Sequence, residues 1–155
     1  MSQLSWGKGL ITFAAAVTIT VPVLVDGVLL YGAHIGSPAW PGHAKLHGVI
    51  SFAGVIGLGI AALVLSTRSG RDSALLTLAA FCAAFPWIGL IAAGYFPGAD
   101  YGFAGDPQNY VAPPVIAGIK FYANVAISVV LIAISVLGLL LARAAKQKPD
   151  ADFSR

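Results

Sequence analysis

Residues 73–96 read SALLTLAAFCAAFPWIGLIAAGYF, a run without a single charged side chain. An α-helix needs about 20 predominantly apolar residues to cross the hydrocarbon core of a bilayer. Only helices and closed barrels can span that core, and this run lacks the strict alternation of a barrel strand. The stretch therefore predicts a transmembrane helix.

Three further apolar runs, Leu10–Tyr31, Leu46–Ser66 and Val115–Leu141, meet the same requirement. Pro41 fits the first turn of a helix, where its missing N–H costs nothing, so the second helix is expected to start there. The predicted helices cover about 10–31, 41–66, 73–96 and 115–141, within one transmembrane domain over 1–155. The fold class is thus an all-α integral membrane four-helix bundle, with residues 142–155 as a disordered cytoplasmic tail.

The composition agrees with this class. Of 155 residues, 58% are hydrophobic and 10% charged, and none is Glu, whereas soluble domains average about 25% charged. Lys8 before the first run resembles the start of a secretory signal. The run is longer than such a segment, however, and carries Pro22 and Asp26 where a cleavage site would lie. We expect an uncleaved first helix.

Basic residues near helix ends are retained on the cytoplasmic side of a membrane. A four-span arrangement places seven of them on one side: Lys8, Arg68, Arg71, Arg143, Lys146, Lys148 and Arg155. Only Lys45 and Lys120 lie on the other side. This pattern predicts that both termini are cytoplasmic, and it suits a bacterial inner (plasma) membrane. Because the basic residues serve topology, a nucleic-acid partner is not expected.

Polar residues recur at helical spacing in the outer halves of the predicted helices. Thr18, Pro22 and Asp26 share one face of the first helix, and His43, His47 and Ser51 share one face of the second. The sequence predicts one outer pocket, whose lining is Asp26, His43, His47, Trp87, Tyr95, Lys120 and Asn124. Ionisable groups at such depth are costly and usually functional.

Two interpretations fit this pocket. In the first, it binds a small or lipid-like ligand, Asp26 and His47 act as a coupled acid/base pair and the remaining residues contact the ligand. In the second, Asp26 is neutralised by Lys120 or hydrogen-bonded to His47, and these contacts only hold the bundle together. The first interpretation allows catalysis without requiring it, whereas the second involves none.

His43 and His47 also have the i, i+4 spacing of metal ligands, and Asp26 could complete a set of three. No Glu follows the first histidine, so the pattern is not that of a zinc protease. Haem ligation by two histidines needs them on facing helices. We assign no metal ion and no cofactor from the sequence. His34, in the loop before the second helix, is expected to be solvated.

Residues 40–47, WPGHAKLH, resemble a group of small, largely uncharacterised four-span membrane proteins that carry W-P-x-H-A-[KR]-x-H at the start of their second helix. In size and span number the chain is more distantly similar to DoxX-like proteins. The resemblance implies a four-helix membrane fold and singles out His43 and His47. Here Lys45 and Leu46 stand where the group more often has Arg and Phe.

A different functional class is a noncatalytic accessory subunit of a larger membrane complex. Ala53, Gly57 and Ala61 form a small-xxx-small row that allows close helix packing, in the bundle, in a homo-oligomer or on a partner. Movement of protons or metal ions by an oligomer is the weakest hypothesis. It needs a continuous polar route, and the inner halves offer mainly Thr18, Ser128 and Ser135.

Overall fold

All four predicted spans are helical in the structure, a computed structural model that describes residues 2–102 and 110–147. The helices are α1, Gln3–Leu24; α2, Gly42–Arg68; α3, Ser73–Ala93; and α4, Ala123–Gln147. Each is long and apolar enough to span a membrane. Successive helices pack side by side, α4 closes the ring against α1, and α1 also contacts α3 across the bundle. The predicted all-α four-helix bundle is confirmed.

The first and third helices differ modestly from their predicted bounds. α1 begins at Gln3, where the Ser2 hydroxyl accepts a hydrogen bond from the Ser5 N–H. It continues beyond Leu24 into a π-helical turn, Val25–Leu29, in which the Leu30 N–H bonds the Val25 carbonyl five residues back. The carboxylate of Asp72 caps α3 by accepting from two backbone N–H groups.

The fourth helix differs most from the prediction, because it begins at Ala123 rather than at Val115. Residues before it form an antiparallel hairpin of two short strands, β1, Val115–Ile116, and β2, Ile119–Lys120. The turn residues Ala117 and Gly118 both have positive φ, as a tight hairpin turn requires. Two preceding prolines and β-branched residues disfavour helix here.

The carboxyl-terminal end of α4 also departs from the prediction. The helix extends to Gln147, so the first part of the predicted disordered tail is helical. Residues 148–155 of that tail, and residues 103–109 of the long loop before the hairpin, lie outside the described residues. Arg143 is therefore fixed on a helix, where its guanidinium donates to the hydroxyl of Thr77 on α3 over 3.1 Å.

The centre of the bundle is built from small side chains around one large one. A buried cluster consists of Ala14, Ala15, Ala62, Cys82, Ala83, Trp87 and Leu131. Alanine brings helix backbones close together, which is how helices pack in membranes, where burial of apolar surface from lipid provides no drive. A second buried cluster contains Ile11 and Leu76, whereas many other apolar side chains, including those of Phe13, Phe81 and Val129, are exposed.

The two ends of the bundle differ in chemistry. The arginine end contains the start of α1, the α2–α3 turn and the end of α4, with Lys8, Arg68, Arg71 and Arg143. The histidine end contains residues 25–48, 94–102 and 110–122, with Asp26 and all three histidines. The hydroxyls of Thr12 and Ser66, 3.0 Å apart, join α1 to α2 toward the arginine end.

Gly7 lies where α1 and α4 touch backbone to backbone. A Cβ at this position would stand 2.5 Å from the Gly138 carbonyl oxygen and 2.7 Å from the Ala142 nitrogen, whereas a Cβ at Gly9 would meet nothing within 4 Å. We predict that Gly7→Ala lowers the free energy of unfolding by about 1–3 kcal/mol through overpacking. Gly9→Ala, the matched control on the same helix, should be neutral or mildly stabilising. Thermal unfolding in detergent measures both, and equal effects would contradict the close α1–α4 contact.

Candidate functional site at the histidine end

The structure pairs Asp26 with His34. The Nδ1 atom of His34 lies 2.7 Å from Oδ1 of Asp26, and the two side chains are 25% and 38% exposed, respectively. Asp26 is therefore compensated without being sealed from its surroundings. An accessible carboxylate beside an imidazole can accept hydrogen bonds, attract a cationic group and exchange protons.

The local backbone explains why these two side chains meet. Asp26 lies in the π-helical turn that ends the first span, and such turns are frequent at functional sites. The chain then folds back through a compact loop, in which the Gly36 N–H bonds the Tyr31 carbonyl at 2.7 Å. A side chain at Gly36 would collide with the Tyr31 ring, so this loop needs glycine there. The fold-back carries His34 to the carboxylate.

An aromatic contact joins the pair to the start of α2. The rings of His34 and Trp40 are stacked, with centroids 6.5 Å apart and planes inclined by 30°. Trp40 lies over Gly48 on α2, where an added Cβ would come within 2.9 Å of the indole. A connected set, Asp26, His34, Trp40 and Gly48, thus links the end of the first span to the second.

The expectation that His34 is only solvated is wrong, because its imidazole contacts Asp26. The side chain that pairs with Asp26 is that of His34, whereas His47 contacts His43, with their Nε2 atoms 3.1 Å apart. The anticipated Asp26–His47 contact is thus replaced by two separate pairs. Asp26 does not complete a metal site with His43 and His47, since the described residues contain no group of three or more suitable ligands.

Trp87 lies deeper than the predicted pocket. Its indole N–H donates to the hydroxyl of Thr18 over 2.8 Å, and both residues are buried. The Thr18 hydroxyl in turn lies 2.9 Å from the Ala14 carbonyl and 3.2 Å from the Ala83 carbonyl. Thr18 precedes Asp26 by two helical turns, or about 12 Å along the axis. The indole therefore joins α1 to α3 in the core, and its polar group is already satisfied.

Asn124 anchors the long loop between α3 and the hairpin. Its side-chain amide donates to the Tyr101 carbonyl at 2.9 Å, and the Tyr101 hydroxyl donates to the Ile91 carbonyl at 2.6 Å. The Tyr101 ring packs over Gly94 and contacts the Tyr122 ring, with centroids 5.6 Å apart. Through these bonds Asn124 holds Tyr101 of the loop against the end of α3.

The last two predicted pocket residues are exposed. Tyr95 is 84% exposed just beyond the end of α3, and Lys120 is exposed on β2 of the hairpin, not on a helix. The seven predicted residues thus share the histidine end only in part, because Trp87 lies deeper and Lys120 belongs to the hairpin. Sequence reasoning missed His34 and Trp40. The available signal was their place in the connection between the first two helices, because that connection lies at the same end of the bundle as Asp26.

Comparison with protein-family models, with curated proteins and with solved structures finds no match to this chain.

The Thr18–Trp87 hydrogen bond has a natural control two residues away. Thr20 is exposed, and its hydroxyl bonds only the Ala16 carbonyl of its own helix. We predict that Thr18→Val lowers stability by about 0.6–1.7 kcal/mol, the range for hydrogen bonds between membrane helices, because the indole N–H loses its acceptor. Thr20→Val should change stability by much less. Thermal unfolding followed by tryptophan fluorescence tests the pair, and an equal loss in both variants would argue against an interhelical role.

Proposed function

We propose that this chain is an integral protein of a bacterial inner membrane, with both termini in the cytoplasm, that binds a small amphiphilic ligand at its outward-facing histidine end. The membrane assignment is supported by four spanning-length apolar helices. The orientation is supported by Lys8, Arg68, Arg71 and Arg143 at the opposite end, since basic residues are retained on the cytoplasmic side.

The observation that carries the binding proposal is the partly exposed Asp26–His34 pair in the π-helical turn. A structural ion pair in a hydrocarbon-facing bundle would be expected to be sealed, because unsatisfied polar groups are costly there. This pair is instead accessible, and its carboxylate can accept further hydrogen bonds. A ligand with a donor or cationic head group fits that chemistry.

The surroundings of the pair favour a lipid-like ligand. Val28 and Leu29, in the same turn as Asp26, are 64% and 75% exposed. A polar head group on the carboxylate would place an attached acyl or alkyl chain against these side chains. Polar contacts set the orientation of such a ligand while apolar surface supplies most of the binding free energy.

The same pair could also carry acid/base chemistry. A carboxylate that orients an imidazole is a recurring arrangement in general acid/base catalysis. In this proposal, Asp26 keeps the role assigned from the sequence, and His34 replaces His47 as its partner. Any such reaction requires a bound substrate beside the imidazole, so it depends on the proposed binding.

The accessory-subunit hypothesis remains the second candidate, and one observation favours it. Ala53 and Gly57 on α2 are exposed, and a Cβ at Gly57 would meet nothing within 4 Å. The close packing inside the bundle uses Gly59 instead, where an added Cβ would come within 3.2 Å of the Ala15 carbonyl oxygen. Ala53 and Gly57 are thus left for lipid or a partner helix, whereas Ala61, the third residue of the row, is half-buried against the core.

The binding proposal is tested by thermal unfolding of the purified full chain in detergent, with phosphatidylethanolamine or phosphatidylglycerol added in separate series. Wild type should gain stability with one of these lipids, by about 2.7 kcal/mol at a concentration 100 times Kd. Asp26→Asn and His34→Gln should lose most of that gain, because each removes one member of the pair. His43→Gln, an exposed histidine outside the pair, is the matched control and should retain it.

Comparing lipid-induced gains rather than absolute stabilities separates binding from folding. Equal gains in all four proteins would contradict a site at Asp26. No gain in any of them, together with loss of co-purifying membrane proteins in Gly57→Leu but not in Gly9→Ala, would instead favour the accessory-subunit hypothesis.

A further inference from the structure

The His43–His47 pair differs from the Asp26–His34 pair because it brings two imidazole nitrogens together. His43 and His47 lie on the first two turns of α2, both exposed, with their Nε2 atoms 3.1 Å apart and ring planes inclined by 79°. Each ring thus turns the nitrogen farthest from its backbone toward one common point. We propose that this pair chelates a single divalent transition-metal ion.

The distance between the two nitrogens suits one shared ion. Zinc–nitrogen bonds to histidine are about 2.0–2.1 Å long. Two bonds of about 2.05 Å that span the observed 3.1 Å subtend an angle of about 98° at the metal. That angle lies between the 90° of adjacent octahedral positions and the 109° of a tetrahedron, so the separation of the two nitrogens suits a shared ion.

Without metal, the same 3.1 Å separation is a hydrogen bond in which one neutral imidazole donates from Nε2 to the other. Binding an ion at both Nε2 atoms requires the donor ring to move its proton to Nδ1. The exchange breaks one N–H···N hydrogen bond, forms two coordinate bonds and leaves the total number of protons on the two neutral rings unchanged. The hydrogen bond therefore holds the two nitrogens at the separation that a shared ion needs.

The position of the pair on α2 gives an ion access from water. The 27 residues of this helix extend about 40 Å, against about 30 Å of hydrocarbon. The excess lets the first turns of the helix stand at head-group level. Lys45, between the two histidines in sequence, is two residues from each and so projects from a different face.

The donor set indicates the class of metal. Imidazole nitrogens favour Cu²⁺, Ni²⁺ and Zn²⁺ over Mg²⁺ and Ca²⁺, and affinities at such sites peak at Cu²⁺. Within residues 2–102 and 110–147, no third His, Cys, Asp or Glu completes the site. The remaining coordination positions would be taken by water or by an exogenous ligand, which describes an exchangeable site rather than a closed structural one.

This inference stands apart from the proposed amphiphile site. It involves neither Asp26 nor His34, and each proposal can fail alone. It also assigns a chemical role to His43 and His47, which the Asp26–His34 site does not use.

The test is titration of the purified full chain, carrying an affinity tag without histidine, with Cu²⁺ alone in a weakly coordinating buffer. Electron paramagnetic resonance should show one tight Cu²⁺ per chain with hyperfine splitting from two imidazole nitrogens. His43→Gln and His47→Ala should each weaken binding about tenfold or more, because chelation by two linked ligands is lost. His34→Gln, which removes a histidine elsewhere, should bind as wild type does.

A spacing variant keeps the number of histidines constant. In Lys45→His/His47→Ala, the second imidazole is two residues from His43 and cannot share its ion, so weak binding is expected. His43 and His47 are exposed and Lys45 is half-buried, and unfolding without metal verifies that each variant is folded. Wild-type affinity in His43→Gln or in the spacing variant, or a wild-type spectrum with fewer than two nitrogen ligands, would overturn the proposal.

Discussion

The requirement that polar groups be satisfied away from water orders this molecule from end to end. Every buried side-chain nitrogen or oxygen among the described residues has a hydrogen-bond partner. In the interior, hydroxyls meet the requirement locally, as Ser128 and Ser135 do by donating to carbonyls one turn back. A carboxylate cannot do so, and Asp26 is placed at a helix end where a loop can return a partner to it.

The WPGHAKLH segment helps to meet the same constraint, because it supports the partner of Asp26. Trp40 stacks on the partner of Asp26 and packs over Gly48, while Pro41 stands at the start of α2. His43 and His47 then project together from the first turns of the helix. The segment thus contacts the Asp26–His34 pair through Trp40 and itself contains His43 and His47. The two proposed sites therefore use different residues of the histidine end.

The bundle could be predicted from the sequence because hydrophobic length and charge-free runs are summed over twenty residues and tolerate local error. The site could be predicted only in part. Helical spacing correctly united His43 with His47, but it could not show that the Gly36 turn returns His34 to Asp26. The apolar run also led to a predicted fourth helix that included Lys120. Apolar content alone does not distinguish a helix from a β-branched hairpin with a positive-φ turn.

The central proposal is that Asp26 and the three histidines lie at the end of the bundle that faces away from the cytoplasm. Labelling of single cysteines in intact bacterial cells with a membrane-impermeant maleimide tests it most directly. Cys82 is buried and would be replaced by alanine, and one cysteine introduced at exposed Ala39 or at exposed Ala144. The account predicts that Ala39→Cys is labelled in intact cells and Ala144→Cys only after permeabilisation. The reverse pattern would place Asp26 and the histidines on the cytoplasmic side and contradict the account.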